Sequence, residues 1–224
     1  MAKTRLVTGH RFLILFILLL ASVIAYPYME EGVPGYYTLR LLTGGILALS
    51  VYAVSFRRGL TVVAVLLAIP AAVQRLFHPT LTAGFLPVLT LVLSFTFDVW
   101  IVVAIFRRLF ANTRITSETI FAALCIYLLN GLTFASIYGL VAALQSKAFL
   151  LDPATNQHTI PDRFDFIYYS FGMMTQLGAA GMTAITDQAR SISLLEAILG
   201  QLYLAVLISR LVSAYRMDTP GTEP

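Results

Sequence analysis

"DFIYYSFGMMTQLGAAGMTAIT", Asp165 to Thr186, lies between two long apolar runs, and its reading decides the fold. The part up to Thr175 is moderately apolar but too short to cross a bilayer, which takes roughly 20 residues of helix. A helix from about Asp165 to Thr175, with Asp162 or Asp165 at its start, enters from the outer side and stops partway. A turn of small residues follows. Irregular backbone at that depth is tolerated only where protein or water covers it. The stretch therefore reads as a re-entrant loop, with a surface helix lying in the interface as the alternative.

The rest of the chain agrees with a membrane setting. Of 224 residues, 58% are hydrophobic and only 12% charged, and the mean hydropathy is +0.83. One water-soluble core cannot hold so much apolar surface. Apolar runs occupy Phe12 to Tyr26, Leu39 to Phe56, Leu60 to Val73, Phe85 to Phe106, Ile120 to Leu144 and Ile192 to Val212. They predict an all-α membrane protein with six transmembrane helices, the re-entrant helix and loop falling between the fifth and sixth.

A net charge of +4 can signal a nucleic-acid partner, but the cations here sit at the ends of apolar runs and form no basic face. Lys3, Arg5, Arg11, Arg57, Arg58, Arg107, Arg108, Arg114 and Arg216 all fall on one side if every run spans. Glu30, Glu31, Asp152 and Asp162 fall on the other, with a thinner set of cations that includes Lys147 and Arg163. The positive-inside bias then places both termini in the cytoplasm and the protein in the plasma membrane. A cleaved secretory signal ending near Ala25 is the rival reading of the first run. The single Cys125 cannot form an intrachain disulfide and reads as a small packing residue.

Short connectors join the first four runs, and the character changes at "ANTRITSETI" after Phe110, where Thr116 or Ser117 can cap a helix with Glu118 in its first turn. The predicted organisation is a four-helix membrane domain over 1–112, a helix, loop and helix unit over 113–216, and a short cytoplasmic tail over 217–224.

"DFIYYSFGMMTQLGAAGMTAITDQARSISLLEAILGQLYLAVLISRLV", Asp165 to Val212, resembles the pore loop and inner helix of bacterial six-transmembrane potassium channels. "LLEAILGQLYLAVLISRLV" is its most specific part, with Gly200 where the family often has a hinge glycine. The resemblance implies a homotetramer in which four loops surround one axis and carbonyl oxygens replace the water of a permeating potassium or sodium ion. It makes the first four helices resemble a voltage-sensor domain, although the fourth run lacks spaced arginines. No resident metal or cofactor is implied, and the partners are other copies of the chain and the lipid bilayer.

The filter itself departs from the family pattern of threonine, valine or leucine, glycine, tyrosine, glycine and aspartate. Thr175, Leu177 and Gly178 agree. Gln176 replaces the filter threonine, Ala179 the tyrosine, Ala180 the second glycine and Gly181 the aspartate. The family's second glycine is left-handed, a conformation that costs an alanine roughly 1–2 kcal/mol in each subunit. The expected result is a cation pathway lined by Thr175 to Gly181 that is weakly potassium-selective, non-selective or closed. Restoring the four family residues is expected to raise potassium preference.

Other residues support or qualify this expectation. Asp187 reads as a residue of the outer mouth or as a solvated surface acid, with Arg190 near enough to offset it. Glu196 lies where an acid supports the region behind the filter in related channels. Asp98, inside the fourth run, needs a partner or water, and Tyr52 is one candidate. Asn130 reads as an interhelical hydrogen bond. His10, His78 and His158 are far apart in sequence, and no nucleophile motif or metal-ligand spacing suggests an enzyme. A non-conducting scaffold derived from a channel, or a small proton-coupled transporter using Asp98 or Glu196, is the alternative.

Overall fold

Five of the six apolar runs lie within helices, and the second, Leu39 to Phe56, is helical through Val54. The computed structural model describes residues 11–29, 33–55, 58–77, 85–111, 116–145, 147–156, 158–178 and 181–217. Helices α1 (Arg11–Met29), α2 (Val33–Val54), α3 (Arg58–Phe77), α4 (Phe85–Ala111) and α5 (Ser117–Leu144) come first. Strand β1 (Phe149–Leu151), helix α6 (Arg163–Thr175), strand β2 (Met182–Ala184) and helix α7 (Asp187–Met217) follow. Among the described residues, three helical stretches are long and apolar enough to cross a membrane: Arg11–Tyr28, Ser117–Leu144 and Asp187–Arg210. Shorter apolar segments occupy Leu41–Val54 and Thr61–Ala72.

Helix α5 begins where its sequence signals place it. Thr116 is the N-cap, its side chain accepting from Thr119 N while the Thr119 hydroxyl reaches back to the Thr116 N–H. This reciprocal arrangement satisfies two of the otherwise orphaned N–H groups of a helix start.

Successive helices pack side by side, α1 on α2, α2 on α3, α3 on α4 and α4 on α5, and α1 also packs directly on α5. Their shared core follows helical spacing, with Phe12, Leu15 and Leu19 from α1, Phe97, Ile101 and Ile105 from α4, and Cys125, Ile126 and Leu129 from α5. The front helices and α5 thus share one hydrophobic core. Asn112, the tail beyond Met217, the basic N-terminus and the loop acids Glu30 and Glu31 lie outside the described residues. Cys125 is buried and its thiol donates to Phe12 O at 3.4 Å, so it packs as expected. Asp98 is buried within α4, whereas Tyr52 is 38% exposed.

A second core holds the back half together. Phe134 and Tyr138 of α5, Phe149 of β1, Phe166 and Tyr169 of α6, and Met182 and Ala184 of β2 are its main members. Phe149 meets Tyr138, Phe166 and Tyr169 edge to face at 5.5, 5.6 and 5.6 Å between centroids. Such pairs add about 0.5–1.5 kcal/mol each beyond their burial.

The two strands qualify the expectation of an all-α chain. They pair antiparallel, Phe149 with Ala184, Leu150 with Thr183 and Leu151 with Met182. A two-stranded ladder is marginal by itself. Here Phe149, Leu151, Met182 and Ala184 are buried against the aromatic cluster while Leu150 and Thr183 face outward, which supplies the missing stabilisation.

Candidate functional site

Helix α6 is fixed at its start by a capping box. Asp162 is the N-cap and accepts from Asp165 N at 2.9 Å, and Asp165 accepts from Asp162 N at 2.8 Å. Both carboxylates also sit at the positive end of the helix dipole. His158 Nε2 lies 2.7 Å from Asp165 Oδ2 and 3.8 Å from Asp162 Oδ2. Three potential ligands spaced four and three residues apart thus come together at the start of α6. Their contacts are those of a helix cap, and the cap accounts for them.

Further along α6, every turn is tied to a neighbour. The Tyr169 hydroxyl pairs with Ser193 Oγ of α7 at 2.8 Å. Phe171 lies over Gly131 of α5 so closely that a β-carbon there would stand 2.8 Å from its ring. The Ser170 hydroxyl is 2.7 Å from Gly131 O and 2.5 Å from Glu196 Oε1. Tyr138 of α5 donates to the other carboxylate oxygen, Glu196 Oε2. Glu196 is fully buried. It joins α5, α6 and α7 through two hydroxyl groups, the satisfaction that a buried acid requires.

Gly200, one turn later on α7, faces the last turn of α6. A β-carbon at this position would be 3.1 Å from both the Cα and the carbonyl oxygen of Met174. The glycine assigned as a hinge thus permits a close backbone approach. Tyr203, a further turn along, donates to Ala123 O of α5 at 2.6 Å and stacks near Tyr127.

The loop after α6 begins by curling. Gln176 caps the helix in the left-handed region at φ 61°, and Gly178 follows at φ 87°. Gln176 N and Nε2 both donate to Met173 O at 3.3 Å, and Gly178 N donates to Gly172 O at 3.2 Å. The Thr175 hydroxyl returns to Phe171 O at 2.7 Å. Much of the partial negative charge at the helix end is therefore met by the chain's own N–H groups. Thr175, Gln176, Leu177 and Gly178 are exposed, Leu177 to 74%. Ala179 and Ala180 lie outside the described residues.

Gly181, at φ 88°, turns its carbonyl toward the segment after β1, where Asp152 N donates at 2.9 Å and Asn156 Nδ2 at 2.7 Å. Beyond β2, Asp187 opens α7 fully exposed, with Arg190 NH1 3.9 Å away. The Arg190 Nε–H donates to Ala184 O at 3.2 Å.

Of the residues singled out in the sequence, Thr175, Gln176, Leu177 and Gly178 form one exposed turn, while Glu196 and Gly200 lie behind it on α7. Tyr138, Ser170 and Asn156 escaped sequence reasoning. A serine and a tyrosine within apolar helices flanking the loop are signals for the first two, since hydroxyls there need partners. Asn156 has no local signal.

No family model, curated protein or solved structure matches the chain.

Proposed function

We propose that the chain is one subunit of a homotetrameric cation channel, resembling bacterial potassium channels and conducting through a non-standard filter. Six helices span the bacterial inner membrane with both termini in the cytoplasm, and α6 is the re-entrant helix. Potassium and sodium pass with weak discrimination through the turn that begins at Thr175.

The observation that carries this reading is the course of the chain around α6. Its 13 residues make a helix about 20 Å long, short of the roughly 30 Å hydrocarbon core. Gly181 then leads into β2, which pairs with β1 close after the end of α5. A segment that enters and returns, with an exposed turn at its tip, needs cover from protein or water. The candidate span of α7 is 17% buried within one chain, as is that of α1, against 56% for α5, so both leave surface that lipid or further copies must cover. Further copies around an axis provide that cover and enclose a pathway that one loop cannot.

The capped carbonyls of Gly172 and Met173 favour a second reading, a channel-derived membrane protein that does not conduct. Purified protein in planar bilayers or liposomes separates the two. Stepwise currents that reverse according to the potassium and sodium gradients are expected. Absence of current from a verified tetramer supports the non-conducting reading, and a saturable flux without steps supports a transporter.

A further inference from the structure

We propose that the outer segment Ala148 to Asn156 is a clip that fixes the exit of the loop, with Asn156 as the positioning residue for Gly181. This rests on the channel reading, in which Thr175 to Gly181 line the pathway, and revises the part of Gly181 within it.

The clip holds the returning chain at consecutive points. Gly181 O accepts both from Asp152 N and from the Asn156 amide, which occupies both of its lone pairs. Residues 182–184 pair with β1, and Ile185 N donates to Ala148 O at 2.8 Å. The turn that presents these donors is built locally. Asp152 Oδ1 accepts from Ala154 N at 2.9 Å, while Asp152 O accepts from Thr155 N at 3.1 Å and Asn156 N at 3.0 Å. This arrangement aims the Asn156 side chain at Gly181.

The fit leaves no room for a side chain at 181. A β-carbon there would meet Thr155 Oγ1 at 2.9 Å and Asn156 Nδ2 at 3.0 Å, and φ 88° already disfavours any residue but glycine. Upstream, Gly178 is tied to α6 through Gly172 O. Only two residues lie between these anchors, so the position of Gly181 limits where the turn of Thr175 to Gly178 can hold its carbonyls. Ion discrimination follows the number and placing of such oxygens. Gly181 O, already bonded twice, anchors the loop and does not bind an ion.

The test compares wild type, Asn156→Ala and Asn156→Asp, all as full-length tetramers in liposomes, by amide hydrogen exchange and by reversal potentials in mixed potassium and sodium. Aspartate keeps the shape of asparagine but has no donor. Exchange at Asp152 and over 182–185 is expected to accelerate about tenfold in both variants, with α6 and α7 unchanged, as for loss of the local bonds that the Asn156 amide donates to Gly181 O, Asp152 O and Thr155 Oγ1. The potassium to sodium permeability ratio is expected to change severalfold at unchanged assembly.

Unchanged exchange, or acceleration spreading through α6 and α7, refutes the clip. Local acceleration with an unaltered permeability ratio refutes the positioning role. Local acceleration in a protein that carries no current in any form leaves the clip standing and rejects the channel reading on which its role depends. The pair Leu150→Cys with Thr183→Cys guards against poor folding of the Asn156 variants. These neighbours in the ladder should form a disulfide under mild oxidation of the native tetramer, and failure to do so refutes the strand pairing.

Discussion

Gly200 of α7 lies against the backbone of Met174 at the end of α6, so close that a β-carbon would stand 3.1 Å from the Met174 carbonyl oxygen. Backbone cannot move aside as a flexible side chain does, so α6 and α7 must separate to admit even a methyl group. Gly200→Ala should destabilise the protein by about 1–3 kcal/mol, the usual cost of overpacking. Gly44 of α2 has no neighbouring atom within 4 Å of an added β-carbon. Gly44→Ala should be neutral or stabilising by about 0.5–1 kcal/mol. Thermal unfolding in detergent compares the two, and equal effects would contradict the close-approach account.

The Glu196 site makes a different prediction. Glutamine at this position can donate to Ser170 and accept from Tyr138, whereas alanine leaves both hydroxyls buried without that partner. Glu196→Ala should cost roughly 2–5 kcal/mol, and Tyr138→Phe about 1 kcal/mol. Glu196→Gln should lie nearer wild type than Glu196→Ala. A double-mutant cycle on Tyr138→Phe and Glu196→Ala is expected to show coupling, and strict additivity would mean that the two residues do not support each other.

Restoring the family filter should carry a cost that sequence alone does not show. Gln176 is left-handed, and a β-branched threonine is an outlier in that region. Gln176→Thr should destabilise by roughly 1–2 kcal/mol, while Gln176→Gly should be tolerated or mildly stabilising. Gly181→Asp should be worse than Gln176→Thr, because it adds steric conflict with Thr155 and Asn156. The fourfold restoration should therefore reduce assembly unless the outer segment is rebuilt with it. Expression and detergent melting of the separate variants measure this.

Assembly is checked directly by mass. Four copies of the 24.6 kDa chain, corrected for detergent and lipid, are the expected species. A monomer or dimer as the sole species in native membranes would defeat the channel reading.

Voltage dependence should be weak. The arginines of α4 are confined to the pair Arg107 and Arg108 near its end, and each gating charge contributes only about 2.3 kcal/mol per 100 mV. Steep activation of the purified protein by voltage would contradict this assignment of α4.

The sequence by itself determined the helices and their apolar character. Apolar runs bounded by Arg57, Arg107 and similar cations announce helices, three of them long and apolar enough to cross a membrane among the described residues, and caps such as Thr116 and Asp162 are local bonds that a short stretch encodes completely. It also marked Glu196 and Gly200 as unusual for an apolar helix. Tertiary structure alone decided what these residues meet. Glu196 joins Tyr138, which is 58 positions away in the chain, and Gly200 faces Met174. The ladder between β1 and β2, and the bond from Asn156 to Gly181, depend on a return of the chain that no local pattern announces. Three-residue strands carry too little periodicity to read, and an amide in a polar loop looks like any other until the fold brings it to its acceptor.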